Sequence, residues 1–312
     1  MALVSIDEIR AAADSIAGHA VRTPLLPLGD DLWLKPENLQ PVGAFKIRGA
    51  VHALTRLPEH TRRTGVITHS SGNHGQALAY AGRLFAIPVV VVMPDTAPQV
   101  KIDATRRFGA EVILVPAAER ESHTTTLAEQ RGLHIVPPYD HRDIIAGQGT
   151  VGLEIVADLP DVDVVLVPVG GGGLASGVAT AVKALSPRAA VIGVEPALAA
   201  EAADSLRASE LRTWTTQERY RTVADGLRTP LSPLTFAHLQ QRLDRIITVT
   251  DEEILQTVPM LARSARIIAE PSGAVAPAAY LHRRHDLPRG RTVAVVSGGN
   301  IDPTLLARLL TT

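Results

Sequence analysis

The chain is organised around residues 33 to 49, Trp33-Leu-Lys-Pro-Glu-Asn-Leu-Gln-Pro-Val-Gly-Ala-Phe-Lys-Ile-Arg-Gly49. Of the 31 basic residues, only four are lysines, at positions 35, 46, 101 and 183. A primary amine forms a Schiff base and a guanidinium does not, so a retained lysine is a candidate for covalent chemistry. Lys46 follows a turn and opens a helix predicted over residues 46 to 57, where the helix dipole disfavours the charged amine. A solvated first-turn lysine is the alternative.

Composition and charge exclude several classes of function. A formal net charge of −1 gives no electrostatic footprint for nucleic acid, and no basic run suggests a membrane surface. The absence of cysteine excludes disulfides, thiolate catalysis and zinc–thiolate sites. Residues 164 to 182 are weakly polar, but Pro168 and a run of glycines favour strand, loop and helix over a membrane span. The first residues show no signal-peptide pattern, so we expect a cytoplasmic protein.

Strand and helix patterns alternate along most of the chain. A helix is predicted over residues 5 to 17, and strand-then-helix units follow from about 56 to 141. A second set of units includes helices predicted over 147 to 158 and 251 to 267. This alternation predicts parallel sheets covered by helices on both faces. We therefore predict an α/β protein with two doubly wound parallel-sheet domains, a large discontinuous one of residues 1–55 and 142–312 and a small one of residues 56–141.

A glycine-rich segment, Val164 to Gly177, holds four consecutive glycines (Gly170, Gly171, Gly172 and Gly173) between an apolar strand and a helix. Without side chains, backbone N–H groups can close on an anion such as a phosphate at the helix N-terminus. A tight turn is the alternative, although it needs only one or two glycines. The segment also satisfies the dinucleotide pattern G-x-G-x-x-A, with Glu195 placed where a ribose-binding acid would lie. An NAD-dependent oxidoreductase therefore stays open at this point.

A second loop, Thr68-His-Ser-Ser-Gly-Asn-His-Gly-Gln76, also lies between a predicted strand and a helix. Its hydroxyl, amide and N–H donors suit a carboxylate, although an ordinary N-cap cluster is the alternative. His69 and His74 are five residues apart and lack the i, i+4 spacing of a helical metal pair. We therefore expect an anion-binding loop rather than a metal site here.

Two shorter motifs lie near the end of the chain. Ser297-Gly-Gly-Asn300 follows a strand predicted over Thr292 to Val296, at a carboxyl end where ligands bind in open α/β sheets. Glu270-Pro-Ser-Gly273 places an acid before a helix, and an ordinary N-terminal helix acid explains it. Neither motif indicates a function without its neighbours.

In combination, the motifs resemble the fold-type II enzymes that use pyridoxal 5′-phosphate (PLP), in the branch of serine racemase and the serine/threonine dehydratases, with a tryptophan synthase β-like fold. The resemblance covers nearly the whole chain and rests on the order and spacing of the motifs. They are Lys35-Pro-Glu-Asn-Leu-Gln40, Gly43-Ala-Phe-Lys-Ile-Arg-Gly-Ala50, Ser70-Ser-Gly-Asn-His-Gly-Gln76, Pro98-x-x-Lys101, Gly109-Ala-Glu111, Ala146-Gly-Gln-Gly-Thr150, the four glycines, Ala224-Asp-Gly226, Glu270-Pro-Ser-Gly273 and Ser297-Gly-Gly-Asn300. This combination displaces the NAD interpretation, which gives Lys46 no role.

The resemblance implies a role for each motif. Lys46 holds PLP as a Schiff base and removes the α-proton of the amino-acid substrate. The implied substrate-carboxylate site consists of Ser70, Ser71, Gly72, Asn73 and His74. The implied cofactor contacts are Phe45 and Gly226 beside the ring, Asn73 at the ring hydroxyl, Gly170 to Gly173 at the phosphate, and Ser297 at the pyridine nitrogen.

Ser297 shapes the implied chemistry. Many PLP enzymes place a carboxylate at the ring nitrogen to keep it protonated, which a serine does not enforce. The ring should then be a weaker electron sink, which suits rapid expulsion of a β-hydroxyl group. The implied reaction is β-elimination of water from serine- or threonine-type β-hydroxy amino acids, with a 2-oxo acid and ammonia as products.

Ser71 keeps two alternatives open. In the racemase-like pattern this position supplies the acid/base on the face opposite the lysine, whereas many biosynthetic threonine dehydratases carry alanine there. The resemblance therefore also allows a serine racemase that uses Lys46 and Ser71 on opposite faces, or a 3-hydroxyaspartate dehydratase. Side-chain selectivity depends on the shape of the pocket, which the sequence does not describe.

The resemblance further implies a divalent-cation site at Glu195, Ala199 and Glu201. Two carboxylates and a backbone carbonyl suit Mg²⁺, Ca²⁺ or Mn²⁺. The usual second acid is an aspartate, and a pair of solvated surface acids is the alternative. Relatives imply a homodimer. Because the chain ends about a dozen residues after Asn300, we expect no appended regulatory domain of the kind that biosynthetic threonine dehydratases carry.

Overall fold

The computed structural model describes residues 2 to 70, 72 to 97 and 99 to 311, apart from the side chain of Val100. The described residues form ten strands in two sheets. The strands are β1 (Leu26–Pro27), β2 (Leu32–Pro36), β3 (Val66–His69), β4 (Val89–Pro94), β5 (Glu111–Val115), β6 (His134–Ile135), β7 (Val164–Pro168), β8 (Ala190–Pro196), β9 (Arg245–Val249) and β10 (Thr292–Val296).

The two sheets are almost entirely parallel. The first has the order β1-β2-β10-β7-β8-β9, and only its edge pair β1–β2 is antiparallel in the described part of the chain. The second has the order β5-β4-β3-β6, with every pair parallel. Parallel pairs need crossover connections, which the intervening helices supply. The predicted fold class, α/β with two parallel sheets, is confirmed.

Fourteen α-helices among the described residues connect and cover the strands. They are α1 (Ile6–Ile16), α2 (Lys46–Arg56), α3 (Glu59–Thr64), α4 (Asn73–Leu84), α5 (Gln99–Arg107), α6 (Arg120–Arg131), α7 (Arg142–Asp158), α8 (Gly173–Leu185), α9 (Glu201–Ala208), α10 (Thr216–Arg219), α11 (Pro233–Arg242), α12 (Asp251–Met260), α13 (Pro271–His282) and α14 (Pro303–Thr311). Within the ranges described above, none is long and apolar enough to cross a bilayer.

Both faces of the first sheet are covered by helices. Val165 of β7 and Val293 of β10 share a core with Val178 of α8 on one face. On the other face, Leu166 packs in a core with Val275 of α13. Because successive strand residues point to opposite faces, a strand buried on both faces needs apolar residues at every position. This requirement explains the continuous apolar runs that predicted these strands.

The helix that begins at Lys46 packs on the side of the second sheet. Ile47 and Val51 of α2 share a core with Leu78 of α4 and Val91 of β4. The strands of the second sheet all lie within the predicted small domain of residues 56–141. The domain boundaries themselves stay a prediction, because α2 packs against α4, in the predicted small domain, and also against α7, in the predicted large domain.

The helix predicted over residues 147 to 158 begins five residues earlier, at Arg142. The His141 ring accepts a hydrogen bond from the backbone N–H two residues later, at 3.2 Å, and caps the helix. A Cβ added to Gly147 would lie 2.6 Å from the Cα of Gly49. Glycine at this position therefore allows α2 and α7 to approach closely, and it does not mark a loop.

The helix predicted over residues 251 to 267 is also shorter than expected. Its α-helical part ends at Met260, and a π-helical turn follows over Leu261–Ala265. Pro259 has no backbone N–H and so removes one hydrogen bond of the helix. Arg266 then adopts a φ of 59°, in the left-handed region, and ends the segment.

A buried network of ionic groups lies under the start of α2. Arg48 is fully buried and donates to Glu37 at 2.7 and 2.8 Å and to Glu154 at 2.7 and 2.8 Å. The buried Lys35 ammonium donates to Glu154 at 2.5 Å. These contacts join β2, α2 and α7 around charges that have little access to water. They explain why the chain keeps a lysine at position 35.

We expect Arg48→Met to lower the free energy of unfolding by about 3–5 kcal/mol, because it removes the guanidinium that pairs with the fully buried Glu37 and with the largely buried Glu154. Chemical denaturation followed by circular dichroism measures this change. The matched control is Arg63→Met, since the Arg63–Glu59 pair is exposed and should contribute less than about 1 kcal/mol. Equal effects of the two substitutions would contradict the importance of the buried network.

Candidate functional site

The predicted site residues lie at the carboxyl ends of strands from both sheets. β3 ends at His69, directly before the loop of residues 70 to 74. β7 ends at Pro168, shortly before the four glycines, and β10 ends at Val296, next to Ser297. Ligands of parallel α/β sheets bind at such carboxyl ends. The contacts between these loops bring the separate sequence motifs into one site.

Lys46 is the first residue of α2, and its side chain is half-buried. Its Nζ donates a hydrogen bond to the carbonyl of Pro138 at 2.6 Å and lies 5.1 Å from the ring centroid of Phe45. Burial lowers the pKa of Lys46 to about 8. The neutral, nucleophilic form of the amine is therefore accessible close to physiological pH.

The loop before Lys46 is held by the loop that begins at Ser297. The N–H of Phe45 donates to the carbonyl of Ser297 at 3.1 Å. Gly43 has a φ of +70°, and a Cβ added there would lie 2.5 Å from Oδ1 of Asn300. Glycine is therefore needed for both the turn and the close approach. The amine is positioned by backbone contacts from a distant part of the chain.

Asn73 is the first residue of α4, and both ends of its side-chain amide have partners. Its Nδ2 donates to Oε1 of Glu270 at 2.6 Å, and its Oδ1 accepts from Nδ2 of Asn300 at 2.8 Å. Asn300 also donates to the carbonyl of Val42 at 2.9 Å. Asn73 therefore lies where three loops meet. Glu270, interpreted from the sequence as an ordinary helix acid, is part of the site.

The structure describes part of the loop implied to bind a carboxylate. Ser70 Oγ accepts a hydrogen bond from the N–H of Gly72 at 3.3 Å, just before α4 begins. The N-terminal N–H groups of α4 have no partner within the helix and are available to an anion. Ser71 and Pro98 lie outside the described residues. The roles proposed for Ser70, Ser71 and Gly72 stay predictions.

His74 is the last of the residues implied to bind the substrate carboxylate. Its ring is buried, and its Nε2 pairs with the carbonyl of Val136 at 3.1 Å. Burial and the charge of Lys46 lower the pKa of His74 to about 3. The imidazole is therefore neutral, and any contribution of His74 to carboxylate binding comes from its backbone N–H group.

The four glycines form the entry to α8. Gly172 is the N-cap, with a φ of 83° in the left-handed region. The first N–H groups of the helix have no intrahelical partner, which fits an anion. Packing also requires glycine: a Cβ added to Gly171 would lie 2.5 Å from the ring of Tyr139, and one added to Gly170 would lie 2.9 Å from Cα of Leu227. The run therefore serves close packing as well as an open backbone.

Ser272 connects the segment around Gly226 to Ser297. Its Oγ accepts from the N–H of Gly226 at 2.9 Å and donates to Asp225 at 3.4 Å. Ser297 Oγ donates to the carbonyl of Ser272 at 3.3 Å. Asp225 also pairs with Lys101 of α5 at 2.8 Å, which links the site to the unit that contains the second sheet.

The proposed cation ligands are buried rather than solvated. The carboxylate of Glu195 accepts from the N–H groups of Ala202 at 3.0 Å and Ala203 at 2.7 Å. Burial raises the pKa of Glu195 to about 8. Oε2 of Glu201 accepts from the N–H of Trp214 at 2.8 Å, whereas its buried Oε1 has no hydrogen-bond partner in the described part of the chain. The alternative of two surface acids is therefore wrong.

The two side chains fit a hard divalent cation only if a backbone carbonyl group also coordinates it. Counting the described residues alone, no group of three or more His, Cys, Asp or Glu side chains could hold a metal ion. Glu195 and Glu201 would therefore act together with the carbonyl of Ala199. Oε1 of Glu201, which has no hydrogen-bond partner among the described residues, is the observation that favours a cation here, although the Arg219 guanidinium lies 3.6 Å from Oε2.

Two contributors to the site were not predicted. Pro138 accepts the hydrogen bond from Lys46, and the ring of Tyr139 covers Gly171. Burial raises the pKa of Tyr139 to about 12, so its hydroxyl group stays protonated. Their position in the sequence could have indicated them, because they closely follow β6, and ligands bind at the carboxyl ends of parallel strands.

Comparison with known proteins gives consistent matches. Residues 16–298 match the family described as pyridoxal-phosphate dependent enzyme. L-threo-3-hydroxyaspartate ammonia-lyase of Saccharomyces cerevisiae is 36% identical, over 99% of this chain and 97% of its own. L-threonine ammonia-lyase of Thermotoga maritima is 39% identical, over 99% of this chain and 78% of its own. The structure of maize serine racemase superposes with a TM-score of 0.94 at 35% identity, covering 99% of this chain and 98% of its own.

The residues present fit PLP. A half-buried amine, unpartnered N–H groups at a helix start and the hydroxyl group of Ser297 converge at the sheet ends. The dinucleotide alternative fails, because it gives the half-buried amine of Lys46 no role and the family match is to pyridoxal-phosphate dependent enzymes. The match over residues 16–298 and the relatives above 30% identity agree with this geometry. The chain therefore belongs to the family of pyridoxal-phosphate dependent enzymes.

Proposed function

We propose that this enzyme eliminates water from serine- or threonine-type β-hydroxy amino acids, and that hydrolysis of the released enamine by water gives a 2-oxo acid and ammonia. The observation that carries the proposal is the half-buried amine of Lys46, with its pKa lowered to about 8, at the point where the loops of both sheets meet. The ammonia-lyase relatives from Saccharomyces cerevisiae and Thermotoga maritima support this reaction class.

Lys46 has two proposed tasks. Its amine would hold PLP covalently, and in its free form it would take the α-proton of the amino-acid substrate. When bound, PLP supplies a conjugated ring that withdraws electrons from the substrate α-carbon. The hydrogen bond to Pro138 holds Nζ in place. The lowered pKa keeps enough of the amine neutral to act as a base.

The other residues hold the cofactor and the substrate. The N–H groups of Gly170 to Gly173 are proposed to bind the phosphate, and Ser297 to face the ring nitrogen with a neutral hydroxyl group. Phe45 and Gly226 line the ring, and Asn73 binds the ring oxygen. The N–H groups of the loop that precedes α4 are proposed to receive the substrate carboxylate, with Ser70, Ser71, Gly72, Asn73 and His74 as its residues.

The decisive experiment is a substrate panel. Purified protein reconstituted with PLP is treated with borohydride, and the modified residue is located by mass spectrometry. A second portion of the reconstituted protein, not treated with borohydride, is offered serine, threonine and 3-hydroxyaspartate, and oxo-acid release is measured. A stable adduct at Lys46 with oxo-acid release supports the proposal. An adduct without oxo-acid release from any β-hydroxy amino acid would contradict it.

Racemisation is the second candidate function. It is favoured by the serine at position 71 and by the likeness to maize serine racemase. Interconversion of stereoisomers needs an acid/base group on each face of the α-carbon, for which Lys46 and Ser71 are the proposed pair. Chiral chromatography of serine recovered after incubation distinguishes this activity from elimination.

The rate of covalent PLP attachment should rise with pH and level off above about pH 8. Only the neutral amine attacks the aldehyde, and burial lowers the pKa of Lys46 to about 8, so protonation below that pH removes the nucleophile. Stopped-flow absorbance of apo-protein mixed with PLP measures this rate. A midpoint near the ordinary lysine value of 10.5 would contradict the lowered pKa.

We expect Gly171→Ala to weaken PLP binding about tenfold or more. The new Cβ would lie 2.5 Å from the ring of Tyr139, and such overpacking costs about 1–3 kcal/mol and displaces the phosphate-binding backbone. Equilibrium titration with PLP measures the affinity. The double variant Gly171→Ala with Tyr139→Ala removes the obstructing ring and should recover part of the affinity. Unchanged PLP affinity of the single variant would argue against phosphate binding by the backbone of Gly170 to Gly173.

We propose that Glu195, Ala199 and Glu201 hold a divalent cation that shapes the segment before α9. Activity and thermal stability that are unchanged by a chelator and by added Mg²⁺ would count against this site.

The homodimer predicted from relatives is tested by light scattering coupled to size-exclusion chromatography. A cytoplasmic location stays a prediction.

A further inference from the structure

A buried carboxylate without a role in the proposed reaction lies beside Asn73. Glu270 is 5% exposed and occupies the N-cap of α13. Its backbone N–H donates to the carbonyl of Gly298 at 3.1 Å, which fixes the main chain. Its Oε1 accepts from Nδ2 of Asn73 at 2.6 Å. A buried acid with one short hydrogen bond needs a reason to be there.

The hydrogen bonds of Asn73 allow only one orientation of its amide. A side-chain amide has one acceptor oxygen and two N–H donors. The oxygen of Asn73 accepts from Nδ2 of Asn300 at 2.8 Å, and one N–H donates to Glu270. In the flipped orientation the amide oxygen would face the Glu270 carboxylate, and the amide nitrogen would face the nitrogen of Asn300. Both contacts would then be repulsive.

We propose that Glu270 is a positioning residue that, together with Asn300, aims the second N–H of Asn73 at the ring oxygen of bound PLP. This inference rests on the proposed function, in which Asn73 binds that oxygen. A fixed donor favours the anionic form of the ring oxygen, whereas a flipped amide would present its own oxygen and disfavour that form.

The surroundings of Glu270 point to an acceptor role rather than a role of its charge. Burial and, to a smaller extent, the charge of Asp225 raise the pKa of Glu270 to about 7, against the opposing effects of the hydrogen bond from Asn73 and the charge of Lys101. A protonated carboxyl group still offers one acceptor oxygen to Asn73. Glu270→Gln should therefore preserve the function, and Glu270→Leu should remove it.

The test compares PLP binding and the absorption spectrum of the bound cofactor in five proteins: wild type, Glu270→Gln, Glu270→Leu, Asn73→Ala and the double variant Asn73→Ala with Glu270→Leu. We expect Glu270→Leu to weaken PLP binding about tenfold and to shift the spectrum towards the neutral ring hydroxyl. The reason is the loss of the charge-assisted hydrogen bond from Asn73 to the anionic ring oxygen of PLP. We expect Glu270→Gln to stay within about twofold of wild type. In the Asn73→Ala background, Glu270→Leu should have no further effect on either readout.

The outcomes separate the inference from the proposed function. Wild-type spectrum and affinity in Glu270→Leu, or an equal loss with and without Asn73, would overturn the positioning role while leaving the adduct at Lys46 intact. A wild-type protein that forms no adduct at Lys46 would overturn the proposed function and this inference together.

If Glu270→Leu does not fold, Asn300→Ala removes the other anchor of the amide and should shift the spectrum in the same direction. The exposed substitution Glu129→Gln controls for loss of a charge and should match wild type.

Discussion

Lys46→Ala is expected to lower oxo-acid release from L-serine or L-threonine by at least about a thousandfold. The substitution removes the covalent attachment point for PLP and also the proposed base for the α-proton, and a positioned base alone is worth about 10²–10⁴-fold. Spectrophotometric measurement of oxo-acid release checks the rate. Mass spectrometry after borohydride treatment checks that the PLP adduct disappears with it.

Two control variants make the Lys46 test specific. Lys46→Arg keeps the positive charge but cannot form the covalent bond, so it should be as inactive as Lys46→Ala. Lys183→Ala removes a lysine that pairs with Asp244 at 2.7 Å, far along the chain, and should leave the adduct and the turnover unchanged. Turnover by Lys46→Ala at the wild-type rate would refute the mechanism.

The sheets could be predicted because local sequence determines them. β7 and β10 are buried on both faces and therefore show continuous apolar runs, which are visible without knowledge of any partner. The glycine run and the loop before α4 could be placed at strand ends for the same reason. Helix limits were harder to predict, because Gly147 looks like a loop residue and serves the close contact between α2 and α7.

The contacts that position the site could not be predicted, because they join residues far apart in the chain. Pro138 receives the hydrogen bond of Lys46 across 92 residues, and Glu270 meets Asn73 across 197. The scarcity of lysine was also an incomplete guide. Lys35 is buried in an ionic network and Lys101 pairs with Asp225, so structural roles account for these retained lysines.

Ser71→Ala is expected to lower the rate of serine racemisation by at least about a hundredfold, while the rate of elimination from L-serine stays within about threefold of wild type. Racemisation needs a proton donor on the face opposite Lys46, and an alanine methyl group offers none, whereas a positioned acid/base contributes about 10²–10⁴-fold. Elimination from the L-isomer uses only the lysine face. Chiral chromatography and oxo-acid release measure the two rates on the same sample.

The comparison of the two rates is what tests the separate role of Ser71. Damage to the neighbouring loop would lower both rates together, because Gly72 and Asn73 belong to the proposed carboxylate and cofactor sites and would move with it. Only the loss of a proton-transfer group on one face lowers racemisation alone. Reaction with D-serine should fall in parallel with racemisation, since its α-proton points away from Lys46. Ser122→Ala, an exposed substitution on α6, should change neither rate. Equal loss of elimination and racemisation in Ser71→Ala would show that Ser71 holds the substrate and does not transfer the proton.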